Sequence, residues 1–125
     1  MARIFETQRK STLALRQRRA ALLRQARLPA HLVRGSFIEQ LRKCGKPNCA
    51  CHRDPGKRHG PYYYLTTCLG VGKVRRLPLK SLAQQAQARA ASAAYVHFME
   101  QIEELSQINA ELIRRGDDLL PSAAA

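Results

Sequence analysis

Three cysteines lie within eight residues, Cys44-Gly45-Lys46-Pro47-Asn48-Cys49-Ala50-Cys51, and His59-Gly60-Pro61 follows at short range. Thiolate and imidazole are the ligands that zinc prefers, and four of them close a tetrahedral structural site. Gly45, Pro47 and Asn48 are turn formers, so the chain can double back on a metal between Cys44 and Cys49. A disulfide between Cys49 and Cys51 is disfavoured, because a single residue separates them. Cys44, Cys49 and Cys51 are therefore expected as Zn2+ ligands, with His59 as the fourth. Arg53-Asp54-Pro55-Gly56-Lys57-Arg58 is a loop long enough to return that histidine. Cys68 is its main rival. His52 is the other, strained by its neighbour Cys51. Cys49-Ala50-Cys51-His52 is one residue short of the haem-attachment pattern. Cys68, alone in an apolar stretch, suits a buried thiol.

These residues resemble a known pattern. Arg34-Gly35-Ser36, the run from Arg42 through Cys51, and His59-Gly60-Pro61-Tyr62-Tyr63-Tyr64-Leu65 are similar to a family of small, largely uncharacterised bacterial and phage proteins. Its members are often met beside transposase genes. The resemblance spans residues 33–113 and leaves the basic N-terminal segment outside. It implies a hairpin and then a helix after the cysteine motif, supports the same four metal ligands, and implies a genomic context rather than a known activity.

Little else in the chain could do catalysis. The basic region has no paired carboxylates, and Glu39 and Asp54 are isolated. His31 and His97 stand alone, and there is no Gly-rich phosphate loop. A catalytic zinc needs an open ligand position and an acid or base beside it. The His-x-Glu element of the zinc deaminases is absent. No catalytic residue is assigned, and an enzyme is not expected.

Net charge is +13, unevenly spread. Residues 1–28 hold eight Lys/Arg against one acid, residues 29–80 eleven against two, and residues 81–125 three against six. The first two thirds suit a polyanion, DNA or RNA, and the last third suits a protein partner or the chain's own core. The expected nucleic-acid contacts are Arg16, Arg18, Arg19, Lys46, Arg53, Lys57, Arg58, Tyr62, Tyr64, Lys73, Arg75 and Arg76. No apolar run approaches a membrane span, and residues 1–6 lack a secretory signal, so a cytoplasmic protein with no membrane role is expected. In that reducing compartment clustered cysteines bind metal.

The elements that must position these groups follow from periodicity. Residues 6–28 predict a basic helix, with Leu15, Leu22, Leu23 and Ala26 on its apolar side and a stop at Leu28-Pro29. Its apolar face is thin, so it needs a partner to be stable. Residues 36–43 predict a strand. Residues 61–78 predict a hairpin. With Val71 and Gly72 as its loop, Leu69 faces Val74 and Cys68 faces Arg75. Tyr62, Tyr64, Lys73 and Arg75 then share one face, where aromatics beside cations suit phosphates and bases. Residues 81–115 predict one long helix, with a Ser81–Gln84 capping box and Gly116 as its stop. Tyr95, Phe98, Ile102, Leu105, Asn109 and Leu112 follow heptad spacing, which predicts a parallel homodimer or a helical protein partner, with Asn109 fixing register. Met99, Ile108 and Ile113 widen that face, as packing within the chain would require.

The expected class is α+β: a zinc-stapled three-stranded unit over residues 31–80. A basic helix or arm over 1–30 and a long helix over 81–116 flank it, and residues 117–125 form a disordered tail. The expected function is a zinc-stapled nucleic-acid-binding accessory of a transposase-type mobile-element machine. The alternative is a protein-interaction module that works through the long helix.

Overall fold

The computed structural model describes residues 3–120. Two helices and a three-stranded antiparallel sheet make it α+β: α1 (Thr12–Gln25), β1 (Gly35–Arg42), β2 (His59–Cys68), β3 (Val74–Pro78) and α2 (Leu82–Arg114), with sheet order β1-β2-β3. Among the described residues no helix is long and apolar enough to cross a membrane. The chain groups into two compact units, residues 30–95 and residues 1–29 with 96–125.

The second of these is built on helix pairing. α1 starts later than expected, because the Ser11 hydroxyl accepts a hydrogen bond from the Ala14 N–H (3.1 Å) and caps it there. A 3-10 turn at Thr7–Arg9 replaces its expected first turn. Leu15 and Leu22, seven residues apart, are buried against Ile108 and Leu112, with Leu105 and Leu119 packed on the same cluster. Leu23 and Ala26 are exposed. The partner that α1 needs is thus α2 of the same chain.

Within the chain, part of the expected dimer stripe is already covered. Leu112 is fully buried and Leu105 half-buried within the chain. Asn109, expected to fix the register of a dimer, accepts a hydrogen bond from Arg19 Nε (3.0 Å) of its own chain. Ile108, expected to flank the seam, is in its core. Tyr95 and Phe98 are half-buried, and Ile102 is exposed. The expected tail is anchored as far as Leu119. Gly116, with φ +82°, ends α2, the Asp117 N–H donates to Leu112 O and the Gly116 N–H to Ile113 O (both 2.9 Å). Residues 121–125 of that tail lie outside the described residues.

Buried Glu111 organises the end of α2. It accepts from Arg114 (2.6 Å) and Arg115 (3.0 Å), and Arg115 goes on to donate to Thr12 Oγ1 and the carbonyls of Thr7 and Lys10. The guanidiniums, Arg114 foremost, hold the Glu111 carboxyl down at about 2.

In residues 30–95, α2 opens with the expected capping box: the Gln84 N–H donates to Ser81 Oγ (3.1 Å), and Gln84 Oε1 accepts from the Ser81 N–H (3.4 Å). Ala88 and Ala91 are buried, and their small size lets the backbone come close. The Val33 N–H reaches Ala91 O (3.2 Å), and Ser92 Oγ donates to Gly35 O (2.8 Å). Gly35 is required there, because a Cβ would run into the Thr66 carbonyl.

Leu112→Ala is expected to destabilise the protein by about 2–5 kcal/mol in urea titrations followed by circular dichroism. Glu111 has a folded pKa below its unfolded value of about 4.3. Its contribution is therefore complete above that pH and is lost as pH falls towards 2. Wild-type stability should drop between about pH 5 and 2, and Glu111→Gln should be less stable at neutral pH with a flatter acid profile.

Candidate functional site

The site starts where β1 and β2 diverge. Arg42 pairs with His59, with a bulge between Gln40 and Arg42. Gly60 permits that irregularity: its φ is +120°, and a Cβ there would lie 2.8 Å from Gln40 O. The chain leaving β1 reaches Cys44 and turns, closed by the Cys49 N–H donating to Lys46 O (3.1 Å). A 3-10 turn at Ala50–His52 folds Cys51 back under Cys44. A second, Pro55–Lys57, is capped by Asp54 Oδ1 accepting from the Gly56 N–H (2.9 Å) and delivers His59.

The ligand atoms of Cys44, Cys49, Cys51 and His59 all lie within 4.8 Å of one another. Cys44 and Cys51 sulfurs are 3.5 Å apart, and Cys49 Sγ is 3.4 Å from His59 Nε2. A tetrahedral ion with metal–sulfur bonds of about 2.3 Å and metal–nitrogen bonds of about 2.0 Å needs edges of roughly 3.5–3.8 Å. Two of the distances are already at such an edge, and the others, none above 4.8 Å, need close by no more than about an ångström to seat a metal ion. The Cys44 N–H donates to Cys51 Sγ (3.3 Å). The Cys51 backbone N–H, then His59, bring the Cys49 thiol down to about 6. Burial pushes the Cys51 thiol up. His52 stands outside the cluster, with Nε2 2.7 Å from Cys44 O. Cys68, the other rival ligand, is exposed at the far end of β2, opposite Val74.

The sheet leads away from this cluster. Cys68 pairs with Val74, Thr67 with Arg75, Thr66 with Arg76 and Tyr64 with Pro78. The loop is Leu69–Lys73, three residues longer than expected, and the register moves by one. That slip exchanges the faces of β3. Arg75 joins Tyr63 and Leu65, and Arg76 joins Tyr62 and Tyr64. On the latter face Arg76 lies over the Tyr64 ring, 4.9 Å from its centroid. Arg42 lies over both Tyr64 (5.0 Å) and Tyr62 (4.4 Å). Tyr64 is only 8 % exposed. On the opposite face Arg89 covers Phe37 at 4.5 Å.

Arg42 was missed by sequence reasoning. It sits in a run of charged residues, and only its pairing with His59 places it beside the tyrosines. Lys46, Arg53, Lys57 and Arg58 are exposed on the metal loop, Lys73 lies in the β2–β3 loop, and among the described residues none of these, nor Arg42, Arg75 or Arg76, forms an ion pair. Arg16, Arg18 and Arg19 differ. Arg16 Nε donates to Asp117 (2.8 Å), Arg18 makes a two-pronged pair with Glu104 (2.7 and 2.8 Å), and Arg19 holds Asn109. Asp117 and Glu104 thus occupy Arg16 and Arg18, and the Asn109 amide occupies Arg19.

The family model for the domain of unknown function DUF6788 matches residues 12–76, more than half of the chain. The chain belongs to the DUF6788 family. The DUF6788 match takes in α1, which the resemblance left out, together with all four candidate ligands, and ends inside β3. α2 lies beyond it. No curated protein and no solved structure matches the chain.

Elemental analysis of reduced DUF6788 protein is expected to find about one divalent ion per chain. Cys51→Ser and His59→Ala should each lower that content, and Cys68→Ser should leave it unchanged. Full occupancy in His59→Ala would remove the histidine from the ligand set.

Proposed function

We propose that this DUF6788 protein is a zinc-stapled nucleic-acid-binding module. The observation that carries the reading is the cation–aromatic ladder of Arg42, Tyr62, Tyr64 and Arg76, next to the Cys3His cluster and free of carboxylates. Residues 30–95 hold twelve Lys/Arg against two acids, whereas the helix-paired unit holds ten against seven. Unneutralised cations on a stiff sheet face are the electrostatic footprint of a phosphate binder.

The tyrosines prepare the arginines for this role. A guanidinium over a ring keeps its in-plane N–H donors outward, and it loses less rotamer freedom when it meets a phosphate or a base edge. Exposed Tyr62 adds an aromatic ring on which a base can stack. Zinc suits the cluster best, since three thiolates and one imidazole form a closed, redox-inert structural set. Its part is to hold β1 and β2 together at the end of the ladder. DNA and RNA both fit this chemistry. Work beside a transposase-type machine fits the family resemblance. A second reading, a helical protein partner or a second copy of the chain on α2, draws on exposed Val96, Ile102 and Ile113.

Fluorescence anisotropy with duplex DNA and single-stranded RNA across a salt series tests the proposal. Log affinity should fall linearly with log salt, and Arg42→Ala with Arg76→Ala should flatten the duplex slope by roughly 0.9 per lost contact. Metal content should not change. Arg16→Ala should alter stability more than affinity. An unchanged slope in the double variant would move the contact off this face, and binding of a protein with no affinity for either nucleic acid would favour the second reading.

A further inference from the structure

The β2–β3 loop carries a feature that phosphate binding does not use. Val71 is fully exposed, Leu69 is 60 % exposed and Val74 65 %. These are the apolar side chains of one hairpin tip. The tip is shaped rather than slack: Gly70 (φ +127°) and Gly72 (φ +72°) flank Val71 in conformations that side chains rarely adopt. The Leu69 N–H donates to Lys73 O (2.9 Å) and the Lys73 N–H to Gly70 O (3.3 Å), closing the turn and holding Val71 outward. Cations adjoin it at Lys73, Arg75 and Arg76, and no Asp or Glu occurs from residue 55 to residue 99.

We propose that this tip is an apolar wedge that enters a DNA duplex at an interrupted base stack. The inference rests on the nucleic-acid reading above and names its substrate as a duplex with a bulge, mismatch or branch. Side chains such as Val and Leu gain by leaving water between base faces. The step must first be unstacked at a cost of a few kcal/mol, which is smallest where stacking is already broken. Charge complementarity selects the occupant. The cations do not ring the tip alone. They continue from Arg76 to Arg42, which lie opposite Thr66 and His59 of β2, roughly 23 Å apart at ~3.3 Å per residue. A long polyanion can follow that line past the tip. A lipid headgroup layer meets only the cations beside the inserted apolar residues.

The test compares a matched DNA duplex, the same duplex with one unpaired base, and phosphatidylserine-containing vesicles. The probes are the full chain and its Leu69→Ser/Val71→Ser variant, whose exposed positions spare the fold, with metal content and melting temperature as checks. Wild type should prefer the bulged duplex about fivefold or more, and 2-aminopurine beside the bulge should brighten on binding. The variant should bind the matched duplex within about twofold of wild type and lose the preference, since its phosphate contacts are intact. No preference in wild type, or an equal preference in the variant, overturns the wedge and leaves the nucleic-acid reading standing. Absence of binding to either duplex at low salt overturns the wedge, and absence of binding to single-stranded RNA as well overturns the nucleic-acid reading. Vesicle binding by wild type that the variant loses, without preference for the bulge, assigns the tip to a membrane surface and overturns the wedge.

Discussion

Pairing of Arg42 with His59 at the end of the β1–β2 ladder is the constraint on which the rest of the site depends. It closes a sixteen-residue loop in which Cys51 is the one buried residue among those described. A loop with so little apolar burial has little to offset its own ordering entropy. Cys44, Cys49 and Cys51 within it and His59 at its end could hold a metal ion that supplies what the core does not, since in such small sites metal-binding energy becomes folding energy. The same pairing sets Arg42 over Tyr62 and Tyr64. Metal cluster and cation–aromatic ladder are thus two consequences of one strand closure, and a break at His59 would loosen both.

Tyr64 shows how the sheet manages a face that lacks an apolar cover. Phe37, Tyr63 and Leu65 share the other side, where Phe37 and Tyr63 rings sit 5.7 Å apart and Arg89 lies over Phe37. On its own side Tyr64 is covered by two guanidiniums. Each such contact contributes about 0.5–2 kcal/mol, depending on desolvation. The Tyr64 ring is shielded from water and the arginines keep their charge. Stability and a basic surface therefore come from the same pairs.

The two units use arginine in opposite ways. In the helix-paired unit, Arg16, Arg18, Arg114 and Arg115 meet Asp117, Glu104 and Glu111, and their charge ties chain ends together. Glu104 and Asp117 are held below the usual carboxylate range, chiefly by the hydrogen bonds from Arg18 and Arg16. In residues 30–95, Arg42, Arg76 and Arg89 lie over rings, and among the described residues no arginine of this unit forms an ion pair. The overall +13 conceals this division, because Glu104 and Asp117 sit 86 and 101 residues from the arginines they engage.

Local chemistry made much of this legible in the sequence. Ligand types and turn residues marked Cys44, Cys49, Cys51 and His59. Ser81–Gln84 and Gly116 bounded α2, since capping is decided within four residues of chain, and β-rich Tyr62–Thr67 declared a strand. What the sequence did not decide was pairing. Heptad spacing at Leu105 and Leu112 says that an apolar stripe needs cover, and it says the same whether the cover is a second copy or α1. The hairpin register turned on the number of residues in a glycine-rich loop, and a one-residue shift in the pairing exchanged Arg75 for Arg76 on the tyrosine face. Arg42 and the paired arginines of α1 follow the same rule. A side chain's charge is written in the sequence, but whether it meets a carboxylate, a ring or solvent depends on residues far along the chain, and only the tertiary structure brings those together.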